Sequence, residues 1–288
     1  MKLLQFCHLL DPNKTVHVGV LISERTIIQL NVHGNMRDFI RSLSTSAIDN
    51  KEIEQQIQHA KETYELDTVK LLSPLTDPEK IICIGLNYYD HVIESKMEVP
   101  KKPVLFPKYN NCIVGNDDPV IIPEEVEQCD YEVELAVVIG KTAKQVPLEE
   151  AMDYVFGYTV LNDVSARDIQ LNEPQWTRGK TIDTFAPVGP WIVTADEIPN
   201  PHQLSISLTL NGNVMQQSNT KELIFNVPYL ISFLSNTITL QPGDIISTGT
   251  PPGVGMGKKP QIWLKHGDVT EAAIEGIGTL RNQFISRN

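Results

Sequence analysis

Residues 130–140 read DYEVELAVVIG, and this stretch decides how the chain folds. From Leu135 onward it is built of Leu, Ala, Val and Ile, the composition of a strand covered on both faces. Yet it opens with acids at alternate positions, Asp130, Glu132 and Glu134. Side chains alternate along a strand, so these three are expected on one face and Tyr131, Val133 and Leu135 on the other. Like charges repel, and a carboxylate carried into a core costs on the order of several kcal/mol unless something neutralises it. A solvent-facing sheet edge would tolerate such acids. A strand that runs on into LAVVIG asks instead for a cation.

A further acid supports the second reading. YTVLND would place Asp163 at the end of a later strand, far enough from Glu132 in sequence for a strand, a helix and a returning strand between them. Glu132, Glu134 and Asp163 would then form a site of hard oxygen donors, suited to Mg²⁺ or Mn²⁺ rather than zinc. Magnesium keeps several of its waters, which leaves positions where a substrate can chelate.

Other segments carry polar groups in apolar settings. Arg167 lies in VSARDIQ and Lys180 in RGKTIDTF, ahead of the Pro-punctuated run FAPVGPWIV. Most such cations are surface residues, but a buried Lys180 would need a partner, and negative charge developing on an enolate is one. The GKT tripeptide is not a phosphate loop, because Pro174 stands where that pattern needs its first Gly. STGTPPGVGMGKK, residues 247–259, fits two readings: a loop needing positive φ angles, or a nest of backbone N–H groups with Thr250 that receives a carboxylate. In GLNYYDHVIESK, His91 and Glu94 fall three residues apart and share a helix face, so the carboxylate can hold the imidazole as a general base. A lone histidine is more often structural than catalytic.

The 288 residues suffice for one large domain or one with a small addition. A net charge of -12 argues against nucleic acid or an anionic membrane as partner. The four cysteines, Cys7, Cys83, Cys112 and Cys129, form no Cys-x-x-Cys pair, which removes zinc-ribbon and redox-motif readings and fits a reducing compartment. The N-terminal apolar run is closed by Asp11 and reads as a first strand rather than a signal peptide, and no apolar run is long enough to span a membrane. The expected location is cytoplasmic.

Residues 1–73 are expected to form a small N-terminal α/β domain: strands in LLQFCHLL, VHVGVLI and TIIQLNV, then helices in RDFIRSL and EIEQQIQHAKETY. Ser73-Pro74 and Asp77-Pro78 mark the junction with residues 74–288. There the strands are short and the turns explicit, with Asn211-Gly212 a hairpin signal and Pro242-Gly243-Asp244 and His266-Gly267-Asp268 further turns. Helices are expected at PLEEAMDYVFG, with Pro147 near its start and Gly157 at its end, and near YLISFLSN. The fold class is α+β and strand-dominated, without the regular βαβ alternation of a doubly wound sheet.

Taken in order, GLNYYDH, DYEVELAVVIG, LNDVSARDIQ, GKTIDTFAPVGP and STGTPPGVG resemble the fumarylacetoacetate hydrolase family from about residue 78 to 280. Five ordered motifs are far more specific than any one of them. The resemblance implies a mixed β-sandwich roll, homodimeric, with Mg²⁺ or Mn²⁺ on Glu132, Glu134 and Asp163. It implies a small keto acid substrate, His91 and Glu94 as a base pair on a lid helix, Lys180 stabilising the enolate, and Arg167, Gln170 and Thr250 binding substrate. Oxaloacetate keto–enol tautomerisation is the activity it favours. C–C hydrolysis of acylpyruvates or fumarylacetoacetate-like acids, oxaloacetate decarboxylation, and a catalytically silent metal-binding scaffold are the alternatives. His91 has its carboxylate three residues away, the pattern of the family's smaller members. A mitochondrial location is the alternative that the resemblance carries. The walls that choose the substrate are expected between Glu94 and Lys108 and in LNEPQWTRG.

Overall fold

The protein is described by a computed structural model over residues 1–45, 50–60, 62–95 and 98–286; the side chains of Asn50, His91, Ile93 and Ser95 fall outside that description. The acidic stretch becomes the Val133–Ile139 strand, buried at every position. It lies in a 12-stranded sheet between the antiparallel strands Val155–Asn162 and Ile245–Ser247. The alternation expected from sequence holds along it. Val133, Leu135, Val137 and Ile139 face a core shared with Ile206, Leu208, Ala272 and Ile274 of a second, five-stranded sheet. Ala136 and Val138 face the other way, into a cluster with Met36, Phe39 and Ile40. The two sheets thus form a sandwich, and a helix covers the far side of the larger one. A strand so enclosed must be apolar along most of its length, so its charged residues can stand only at an end.

The covering helix, Met36–Ser44, comes from the N-terminal segment and starts with a capping box between Asn35 and Asp38. The strands expected there are present as Lys2–His8, His17–Leu21 and Thr26–Gln29. They continue the large sheet, because Lys2–His8 pairs with Ala186–Thr194 of the C-terminal part. The proline-marked junction therefore separates two stretches of sequence whose backbone hydrogen bonds run through one sheet.

The Asn211-Gly212 hairpin joins Ser205–Leu210 to Asn213–Asn219, with φ of 51° and 78° at its two central residues, the signature of a type I′ turn. The YLISFLSN helix is Val227–Ser235, capped by the Asn226 side chain. One expectation is corrected. PLEEAMDYVFG does not form a helix ending at Gly157; a 3₁₀ segment, Leu148–Tyr154, stops early and residue 155 begins a strand. The reason is tertiary. VFGYTVLN supplies the β-branched and aromatic residues that pair with both Val133–Ile139 and Ala186–Thr194, and Gly157 sits opposite Val138 and Thr194 in that ladder.

Gln5 shows how the N-terminal segment is tied down. Its fully buried amide donates to the Ser73 carbonyl at 2.9 Å and accepts from the Met36 N–H at 2.8 Å, linking the junction to the first turn of the covering helix. Gln5→Leu keeps the volume but orphans both backbone groups. It should lower the free energy of urea unfolding by about 2–4 kcal/mol. A loss below about 1 kcal/mol would show that these bonds are not what holds the helix in place.

Candidate metal and substrate site

Strand register builds the site. Val133 pairs with Asn162, so Glu132 lies beside Asp163, whose N–H donates to the Glu132 carbonyl at 2.8 Å. The Glu132 N–H in turn donates to Asn162 Oδ1 at 2.9 Å. On the other side, Ala136 pairs with Ser247, which brings the Ser247 hydroxyl and the Gly249 N–H to Glu134 Oε2 at 2.5 and 2.9 Å. The outcome is that Glu132, Glu134 and Asp163 each offer a carboxylate oxygen within 4.8 Å of the others, all three residues being buried.

Asp130 does not join them. Residues 131 and 132 interrupt the strand, and Cys129–Asp130 pairs instead with Ser165–Ala166. The Asp130 carboxylate accepts from the N–H groups of Gly255 and Met256 at 2.6 and 3.1 Å and from Arg167 Nε at 2.9 Å. Asp130 thus stands outside the triad and is linked to Glu132 through the Arg167 guanidinium, which pairs with both.

Three buried cations meet the acids. Lys180 Nζ donates to Glu132 Oε2 at 2.6 Å and Asp163 Oδ2 at 2.7 Å. Arg167 reaches Glu132 Oε1 at 2.6 Å and Gln170 Oε1 at 2.9 Å as well as Asp130. Lys108, which the sequence reading passed over, donates to the carbonyls of Val164, Lys180 and Phe185 at 3.0, 2.5 and 2.7 Å. An ammonium has three N–H groups, and these carbonyls take all of them. Asp163 Oδ1 lies 2.8 Å from Lys108 Nζ and feels its charge, but it accepts no hydrogen bond. A buried carboxylate oxygen with a vacant lone pair, inside a cluster of three acids, fits a hard divalent cation.

The charges explain the titration. Burial opposes the Lys180 charge, but Asp163 and Glu132 outweigh it and hold the ammonium above its ordinary value. Burial likewise opposes the Arg167 charge, and Glu132 and Asp130 reverse that. Glu134 pairs with no cation among the described residues. Burial, reinforced by the charges of Asp163 and Glu132, pushes its carboxyl up to about 8.

The acids open on a cavity of about 80 Å³ whose polar end includes Glu132, Glu134, Arg167, Gln170, Lys180 and Thr250. Asp163 lies behind them, fully buried. Gln170 commits its carbonyl oxygen to Arg167, so its NH₂ group is what it has to offer a ligand. The Thr250 hydroxyl donates to the Val133 carbonyl at 3.0 Å and accepts from Gln216 at 2.8 Å. To donate to a carboxylate it must give up Val133. The glycine-rich loop turns its N–H groups inward: Gly249 to Glu134, Gly253 to Glu94, and Gly255 and Met256 to Asp130. The protein's own acids account for these four.

Glu94 lies on the Tyr89–Ser95 helix, and its carboxylate oxygens accept from Gly253 N–H at 3.1 and 3.0 Å. The backbone of His91 belongs to the same helix; its side chain lies outside the described residues. Asn87 anchors the segment. Its buried side chain donates to the carbonyls of Thr248 and Phe225 at 2.7 and 3.0 Å and accepts from the Phe225 N–H at 2.8 Å. Asn87 and Lys108 both escaped the sequence reading. For Lys108 a signal existed: in VLFPK, period-two alternation puts it on the same face as Phe106, an apolar residue. For Asn87 a single sequence holds none.

The model of the fumarylacetoacetate (FAA) hydrolase C-terminal family matches residues 80–285. The chain is 43% identical over 293 residues to oxaloacetate tautomerase fahd2, mitochondrial, of Xenopus laevis, covering 99% of this chain and 90% of that one. Among solved structures, fumarylacetoacetate hydrolase from psychrophilic Exiguobacterium antarcticum superposes with a TM-score of 0.86 at 36% identity, over 100% of both chains. Maleylpyruvate hydrolase from Sphingobium sp. SYK-6, solved with manganese(II) ion and pyruvate, gives 0.83 at 31% identity, again over 100% of both.

The position of Glu134 makes a pH prediction. Its carboxyl moves from 4.5 to about 8 on folding, so the native state holds a proton that the unfolded chain has already released. The contribution to stability is complete below 4.5 and is lost as pH rises through about 8. In chelator-treated protein the melting temperature should therefore fall across this window, and Glu134→Gln should flatten the fall. Divalent ion binding near neutral pH should release about one proton, read as a buffer-dependent enthalpy in calorimetry. A chelated protein that gains stability from pH 5 to 8 would contradict the assignment.

Proposed function

The chain belongs to the fumarylacetoacetate hydrolase family, and from that premise we propose that it is an oxaloacetate keto–enol tautomerase dependent on Mg²⁺ or Mn²⁺. The observation that carries the proposal is the meeting of Glu132, Glu134 and Asp163 beside a buried Lys180 at the end of a small cavity. The named Xenopus relative supports oxaloacetate, and the manganese and pyruvate of the Sphingobium enzyme support a divalent ion and a 2-oxo acid. Glu132, Glu134 and Asp163 are the ligands we assign, and an ion held by them would supply Lewis-acid chemistry to a bound 2-oxo acid.

The protein's own groups do the rest. Arg167 is locked by Asp130, Glu132 and Gln170, so its position is set before substrate arrives. The Gln170 NH₂ group orients a substrate carboxylate, and Thr250 lines the wall beside it. Two of the three Lys180 donors go to Glu132 and Asp163, which leaves one for the oxygen that gains negative charge as the C3 proton departs. We assign that proton to His91, with Glu94 on the same helix as its positioning carboxylate; the proton lost from carbon returns on the oxygen, and the reaction balances with no water consumed.

C–C hydrolysis of an acylpyruvate is the second reading, favoured by the likeness to the two hydrolases. It needs an activated water in addition to the same machinery. In cellular terms, Cys7, Cys83, Cys112 and Cys129 are all buried free thiols, which supports a reducing compartment. The family resemblance extends the proposal to a homodimer.

The deciding experiment follows the enol absorbance of oxaloacetate with Mg²⁺ and with chelator, alongside pyruvate release from oxaloacetate and from an acylpyruvate. Tautomerisation should be accelerated only with the ion. Lys180→Met should lower kcat by about 10²–10³-fold. Glu132→Ala and Asp163→Ala should abolish the calorimetric signal of Mg²⁺. Pyruvate release without faster tautomerisation would replace this reading with the hydrolase or decarboxylase one, and no activity at all would leave a metal-binding scaffold.

A further inference from the structure

The apolar end of the cavity is built as deliberately as the acidic one. Gly85 closes the Ile81–Gly85 strand, opposite Val104, with a backbone that any residue can adopt. Its lack of a side chain is nonetheless required. A Cβ there would lie 2.7 Å from Trp176 Cζ3 and 3.3 Å from Cη2, closer than packed carbons approach. The indole occupies that space. It also meets Phe106 edge-on, with ring centroids 5.7 Å apart and planes at 67°. Phe106 in turn lies under the Lys180 ammonium, 4.9 Å from its ring centroid. Trp176 caps the helical turn Thr177–Lys180 and Lys180 ends it, four residues on, so they share a face. One short segment therefore carries both the buried cation and the aromatic wall, and Gly85, Phe106 and Trp176 all border the cavity.

We infer that Trp176, seated in the space left open at Gly85, gauges the length of the acid that the site accepts. The inference rests on the reading of the acidic end as a 2-oxo acid site. A volume of about 80 Å³ is small beside the roughly 300–1,000 Å³ of ordinary ligand pockets. An acid held by its keto end against Lys180 and Arg167 extends toward the indole. A short dicarboxylate ends before it; each added methylene has to displace a ring wedged between Phe106 and the backbone of Gly85. The wall thus excludes longer 2-oxo acids by shape, whereas Arg167 and Lys180 recognise the feature that all such acids share.

The test measures inhibition constants, and Mg²⁺-dependent binding by calorimetry, for oxaloacetate, 2-oxoglutarate and 2-oxoadipate, which lengthen by one methylene at each step. Unmodified protein should bind progressively more weakly, by roughly tenfold or more per methylene. In Trp176→Ala the series should flatten to within roughly threefold or reverse, a change in ratio that general damage to the site does not produce. Gly85→Ala, which pushes the indole from its seat, should weaken oxaloacetate roughly tenfold, and the same substitution in the Trp176→Ala background should cost less than roughly twofold. The double variant keeps the test alive if Gly85→Ala alone folds poorly. The same length order in unmodified protein and Trp176→Ala, or additive effects of the two substitutions, would overturn the gauge while leaving the function standing. Failure of the unmodified protein to bind any of the three acids would overturn both.

Discussion

The antiparallel register of Val133 against Asn162 is the constraint on which the site depends. It puts Glu132 beside Asp163, and the neighbouring pairing of Ala136 with Ser247 fixes where Glu134 finds its hydrogen bonds. A slip by one residue would turn these carboxylates to the sandwich core and bring Val133 and Leu135 out of it. The register is protected because the strand is enclosed on both sides, by the second sheet and by the helix Met36–Ser44. The N-terminal segment thus supports the chemistry without touching it. By covering the far face of the sheet, it makes a displaced central strand too costly.

Such enclosure sets an electrostatic problem. Asp130, Glu132, Glu134 and Asp163 face Lys108, Arg167 and Lys180, four acids against three bases, all buried. Buried ion pairs add little net stability, because the desolvation of each partner offsets most of the attraction. Removing one partner is far more damaging than the pair is helpful. What the network supplies is position: Arg167 is gripped by two acids and an amide, and Lys108 is fixed by three carbonyls. Among the described residues Glu134 is the acid without a cation, and burial, reinforced by the charges of Asp163 and Glu132, raises its carboxyl. A divalent ion is the change that would relieve it.

Much of this was legible in the sequence, because it followed from local periodicity. Alternation placed Glu132 and Glu134 on a common face; the turn at Asn211-Gly212 and the helices in RDFIRSL and near YLISFLSN could be read directly. The misreadings were tertiary. LEEAMDYVFG has helical composition, but two neighbouring strands needed VFGYTVLN as a partner. What holds Asp130 was not legible either: the strand breaks after it, and the loop at Gly255 supplies its donors. Lys108 and Asn87 work through backbone carbonyls from distant segments; alternation in VLFPK marks Lys108 as inward-facing, but its partners, like those of Asn87, are not encoded in local spacing.

The glycine-rich loop joins these parts into one mechanical unit. Its Gly253 N–H holds Glu94, and two residues further on Gly255 holds Asp130, which holds Arg167. The helix assigned the proton carrier and the arginine assigned the substrate are therefore fastened to the same few backbone amides. Such a loop has to be free of bulky side chains: a Cβ at Gly255 would meet the Ile262 carbonyl at 2.0 Å, and one at Gly257 would meet Glu94 at 2.8 Å. Gly249 and Gly253, with φ of 101° and 105°, adopt the backbone that glycine favours, and Gly255 and Gly257 allow close packing. The Glu94–Gly253 contact ties the Tyr89–Ser95 helix to that loop, and the Ser218 hydroxyl, which donates to Asp90 at 2.9 Å, ties the same helix to the smaller sheet.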